Sequence, residues 1–147
     1  MLGGCVAVDN TARPSAPPVP KGLTPSRLLV NASTPQDRDG DAIPDVVSMI
    51  VYFFAFDPDP VGVDASGTLR FVLTSGERVL GMWQIPESQY APARSVLAAG
   101  VGYPLELRMP RLEPGELPDT ATLTGEFVPS GEGASLMAAS VDFRFRR

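Results

Sequence analysis

At 147 residues the chain has room for one domain of ordinary size, and a hydrophobic content of 44% excludes wholesale disorder. A net charge of −5 argues against a nucleic-acid binder, which concentrates basic residues on one face. Histidine is absent, which removes the commonest general base and the commonest zinc ligand, and 16 Pro with 14 Gly favour short strands over long helices.

The chain opens Met1-Leu2-Gly3-Gly4-Cys5, and Cys5 is its single cysteine. An intrachain disulfide and a multi-cysteine metal site are therefore excluded. Leu2-Gly3-Gly4-Cys5 resembles the lipobox of bacterial lipoproteins, in which Leu and two small residues precede the lipidated Cys. The resemblance implies a diacylglyceryl group on the Cys5 thiol, membrane attachment through that lipid, and a periplasmic or surface location. A signal peptide places a charged segment and roughly 7–15 apolar residues before such a site, whereas only Met1 precedes Leu2. A leader encoded ahead of Met1 is thus expected, the alternative being a chance match. Residues 6–25 hold Pro14, Pro17, Pro18, Pro20 and Pro25 among Ser, Thr and Asn, with no periodic apolar face. Such a stretch reads as a flexible tether, which puts the boundaries at 1–25 for the tether and 26–147 for the domain.

From Ser26 onward the pattern has period two. Residues 27–34 alternate, with Leu28, Val30 and Ala32 on one face. Residues 46–56 form a continuous apolar run, which predicts a central strand covered on both faces. Residues 68–74 put Leu69, Phe71 and Leu73 inward, and Ser75-Gly76-Glu77 turns the chain into a strand over 78–85. Trp83 in that strand reads as a core anchor. Residues 92–99 are the one predicted helix, with Pro92 in its first turn and Gly100 as its stop. Further strands are predicted around Tyr103–Met109, Ala121–Phe127 and Met137–Phe145, the last with Met137, Ala139, Val141, Phe143 and Phe145 inward. About seven strands over this length predict an all-β antiparallel sandwich. The pattern resembles the immunoglobulin and fibronectin architecture, without a Cys pair.

One motif carries chemistry. Asp37-Arg38-Asp39-Gly40-Asp41-Ala42-Ile43-Pro44-Asp45 places Asp37, Asp39, Asp41 and Asp45 at alternate or near-alternate positions. It resembles the Asp-rich calcium motif of thrombospondin type 3 repeats, and the resemblance implies a calcium site on these four carboxylates. Calcium takes six to eight oxygens, and alternate residues of a tight loop can aim several carboxylates at one point. Ala42 departs from the family, which has Gly there, and Ala reaches a positive-φ turn only at a cost. A plain acidic turn also accounts for these residues, since Asp, Gly and Pro are ordinary turn formers. A second acidic group, Asp57, Asp59 and Asp64, lies beyond the apolar run and reads as an ordinary loop about 36 Å from the first.

Without histidine no Ser–His or Cys–His pair can be built, so no catalytic residue is nominated. Glu113 and Glu116 fall in a Pro/Gly loop and read as solvated. The function expected is a non-catalytic β-sandwich module of the cell envelope, anchored through Cys5 and binding or spacing an envelope protein or glycan. The alternative is a calcium-stabilised extracellular interaction domain without a lipid. An enzyme working from carboxylates alone is the least favoured class.

Overall fold

The computed structural model describes residues 22–56 and 60–145, and there the chain folds as a sandwich of two largely antiparallel sheets. Cys5 and the expected tether up to residue 21 lie outside the described residues. Residues 22–26 form no strand, although Leu23 and Pro25 are half-buried. In chain order the strands are β1 (Arg27–Ala32), β2 (Val46–Ala55), β3 (Val61–Val63), β4 (Gly67–Ser75), β5 (Arg78–Pro86), β6 (Ser95–Leu97), β7 (Gly100–Arg108), β8 (Thr120–Pro129), β9 (Leu136–Met137) and β10 (Val141–Arg144). The first sheet runs β1-β2-β3-β7-β6, with β2 also paired to β7. The second runs β10-β8-β4-β5, with β9 pairing β8.

Alternation sets the core. Val47, Met49, Val51 and Phe53 of β2 point inward, opposite Leu69, Phe71 and Leu73 of β4 and Leu123 and Phe127 of β8, and all are buried. Phe53 sits at the centre, its ring 4.6 Å from Phe127 in the facing sheet, 5.6 Å from Tyr103 and 5.9 Å from Tyr90. Each such side chain contributes about 1.5–3 kcal/mol by leaving water. Trp83 is half-buried against this core, and its indole N–H donates to the Arg108 carbonyl at 3.0 Å, joining β5 to the end of β7. The β4–β5 hairpin turns at Gly76, whose φ is 60°.

Four expectations need correction. The described residues hold ten strands instead of about seven, because β3, β6 and β9 are too short to show a period. The apolar run of residues 46–56 is central but covered on one face only among the described residues, none of which forms a layer over the outer side of the first sheet, and Ile50, Tyr52 and Phe54 are half-exposed there. The helix predicted over 92–99 is replaced by a short helix α1 (Glu87–Tyr90), a single 3-10 turn (Ala91–Ala93) and β6. Gly100, read as a helix stop, instead takes φ 108° where the β6–β7 hairpin turns, a conformation suited to glycine. The last strand is interrupted at residues 138–140. The Ala138 amide bonds to Gly125 at 2.9 Å, and the break shifts the phase by one residue. Leu136 and Ala138 therefore pack on the core while Met137 and Ala139 are exposed, and β10 resumes with Phe143 and Phe145 buried.

β2 pairs β7 through Val51 and then diverges, and β3 fills the gap by pairing Phe53–Ala55 on one side. On its other side it meets β7 in parallel at Gly62 and Gly100. A Cβ at Gly62 would collide with the Val101 backbone, so this close approach requires glycine.

Candidate functional site

The Asp-rich segment is a loop closed at its base. The Gln36 amide donates to the Val46 carbonyl and the Asp45 amide to the Gln36 carbonyl, both at 2.8 Å. Above this clasp each carboxylate accepts amides of its own loop, as short acidic side chains do in turns. Asp37 accepts from Gly40 and Ala42 at 2.8 Å. Asp45 accepts from Arg38 at 3.0 Å and Asp39 at 3.1 Å. Asp39 accepts from Asp41 at 3.2 Å and Asp41 from Ile43 at 2.8 Å. Gly40 at φ 82° and Ala42 at φ 70° curl the chain into this nest.

Carboxylate oxygens of Asp37, Asp39 and Asp45 lie within 4.8 Å of one another. Asp41, the fourth residue nominated from the sequence, is not in that group, its carboxylate being engaged by Ile43. Three hard oxygen donors at this spacing suit calcium or magnesium better than a softer metal, and Asp37 and Asp39 are open to solvent. Their titration is split. Desolvation pushes Asp37 up, but the Ala42 and Gly40 amides outweigh it and hold the carboxyl below its ordinary value. Asp39 is pulled down by the Asp41 amide, yet desolvation and the carboxylates of Asp37 and Asp41 leave it raised.

The loop is fastened to β7 by a two-pronged ion pair between Arg38 and Glu106, one of whose bonds spans 3.2 Å. The hydrogen bond from Arg38 lowers the Glu106 carboxyl. Between the loop and the end of β7 lies an open depression of about 610 Å³, walled by Asp39 and Asp41 on one side and Arg108 and Arg111 on the other.

At the opposite end of β2, Asp57 and Asp59 lie outside the described residues. Asp64 is a fastening point. Arg94 grips it at 2.6 and 2.9 Å, and the Tyr103 hydroxyl donates to it at 2.9 Å. The Arg94 hydrogen bond holds the Asp64 carboxyl below its ordinary value. The Tyr90 hydroxyl donates to the Ala65 carbonyl at 2.6 Å, and desolvation raises its pKa to about 12. Glu113 and Glu116, read as solvated, form a capping box over one 3-10 turn, and Glu116 also pairs with Arg78 at 2.8 Å.

The sequence reading missed the outer face of the first sheet. Tyr52 and Phe54 stack at 5.4 Å and 26°, Phe54 and Phe56 follow at 6.3 Å, and the Arg27 guanidinium stands 5.9 Å from the Phe56 ring centroid. Leu29 beside them is 41% exposed and Phe56 44%. The signal was present in the even-numbered residues of the apolar run, which a strand buried on one face has no need to make apolar. The chain matches no protein-family model, no curated protein and no solved structure in the comparisons made.

Proposed function

We propose that the protein is a non-catalytic module of the cell envelope, held at a membrane by a lipid on Cys5 and presenting its sandwich to an envelope protein or glycan. The observation that carries this reading is the order of parts along the chain. A Leu2-Gly3-Gly4-Cys5 start and a Pro-rich stretch lead directly into Ser26, whose amide opens the β1–β2 ladder on the Phe54 carbonyl at 2.8 Å. An anchor, a spacer and a packed domain follow one another. The test is metabolic labelling with a clickable palmitate analogue, with the protein expressed from its own gene in its own host. Wild type should carry the label in the membrane fraction and Cys5→Ser should not. An unlabelled wild type would overturn the anchor.

The carboxylates of Asp37, Asp39 and Asp45 favour a second reading, a domain stabilised by weak calcium binding. With a Kd of about 1 mM, about 5 mM calcium adds roughly 1 kcal/mol by mass action, or about 3 °C in Tm. Thermal unfolding in calcium against EDTA should show that rise in wild type and lose it in Asp39→Asn. Equal melting temperatures across the four samples would leave the loop an acidic turn.

A further inference from the structure

We propose that the outer face of the first sheet docks on a lipid bilayer, seating the domain against the membrane to which Cys5 tethers it; the inference rests on the anchor proposed above. The patch comprises Leu29 of β1, Ile50, Tyr52 and Phe54 of β2, the adjoining Phe56, and Leu97 of β6. It is continuous across the sheet. Gly102 of β7 forms its floor, and a Cβ there would meet the side chains of Tyr52, Leu97 and Ile50 at 2.9, 2.9 and 3.2 Å.

Chemistry selects the occupant. Leu29, Ile50 and Leu97 flank the rings and add apolar area without adding hydrogen-bonding groups, which favours acyl chains as the occupant. Tyr52 and Arg27 supply the amphipathic groups that settle at headgroup level. The chain's own layout points the same way. It enters β1 at the aromatic end of the face, where the Ser26 amide meets the Phe54 carbonyl. Some twenty residues separate Ser26 from Cys5, a length that spans at most about 70 Å. A lipid on Cys5 therefore confines the face to the membrane surface at an effective concentration near the millimolar range, where a weak contact is occupied. The Asp-rich loop lies at the other end of β2, about 30 Å from the aromatic end of the face. Arg27 is the one cation over the rings among the described residues, so apolar burial and not charge attraction drives the contact.

Because Cys5 is the only cysteine, the full chain can be coupled to phosphatidylcholine vesicles carrying maleimide headgroups, which supplies the tether without cellular processing. The readout is quenching of a Phe54→Trp variant by brominated acyl chains, against wild type, whose Trp83 belongs to the other sheet. An apolar face seated roughly 5–10 Å into the interface should lose about half the emission of the new indole and little of Trp83. Adding Leu29→Ser and Phe56→Ser should abolish the quenching with Tm unchanged. Unquenched emission in the coupled Phe54→Trp variant would overturn the proposal. So would dimerisation of the uncoupled chain that the two Ser substitutions abolish, since the face would then belong to a second copy. Quenching on vesicles without palmitate labelling of Cys5 in cells would uphold the face and sink the anchor.

Discussion

Ala42 holds φ at 70°, where a side chain's Cβ crowds the backbone, and it does so because the Asp37 carboxylate takes its amide at 2.8 Å. The loop thus stores strain at Ala42. Ala42→Gly should raise stability by about 0.5–1 kcal/mol, the relief of strain being partly offset by a freer unfolded chain. Urea unfolding reads this directly, and a destabilised variant would mean the strain is not there. Asp64 gives a prediction of a different kind. Its carboxyl is depressed by Arg94, so its contribution is complete above the ordinary value of 3.8 and is lost as pH falls through the lower folded value. The group is 56% exposed, which limits the ion pair to about 0.5–1 kcal/mol at neutral pH. Asp64→Asn should cost that much at pH 7, and the gap to wild type should narrow and close as acidification protonates the Asp64 carboxyl, below its ordinary range. A gap independent of pH would assign the effect to the Tyr103 hydrogen bond and not to charge.

At the scale of elements, long period-two strands were legible and short ones were not. β4 and β8 put Leu69, Phe71, Leu73, Leu123 and Phe127 inward as the alternation requires, because a half-buried strand must repeat every second residue. β3 and β6, three residues each, form through the partners they meet: the Gly62–Gly100 approach and the β6–β7 hairpin. Long-range encounters of this sort leave no local pattern, which is how Ser95–Leu97 came to be read as part of a helix. β10 tests the alternation most sharply. It is four residues long, and Phe143 stands opposite Ala121, the small partner leaving room for the ring. Phe143→Ala should cost about 3–5 kcal/mol, since a cavity opens in a packed layer. Denaturant unfolding would show less than about 1 kcal/mol only if β10 were out of register with β8.

Across the whole molecule, the two-layer plan followed from length, turn density and alternation. The candidate site was only half legible. Asp spacing brought Asp37, Asp39 and Asp45 together, whereas the Arg38–Glu106 clamp joins residues 68 apart in sequence and left no trace in either neighbourhood. The second sheet has a similar dependence on distance. Its β4–β5 hairpin closes around Gly76 from adjacent residues, but Gly67 of β4 pairs with Pro129 of β8, across the whole of β5, β6 and β7. Loop closure of that size is slow, and proteins dominated by such pairings fold in milliseconds to seconds. Until β8 arrives, β4 presents Leu69, Phe71 and Leu73 along an open edge, ready to pair with another chain. Synthesis from the N-terminus completes the hairpin at residue 86 and delivers β8 only from residue 120, so in between the chain is a hairpin waiting for its neighbour, and its exposure to aggregation is set by how soon residues 120–129 follow.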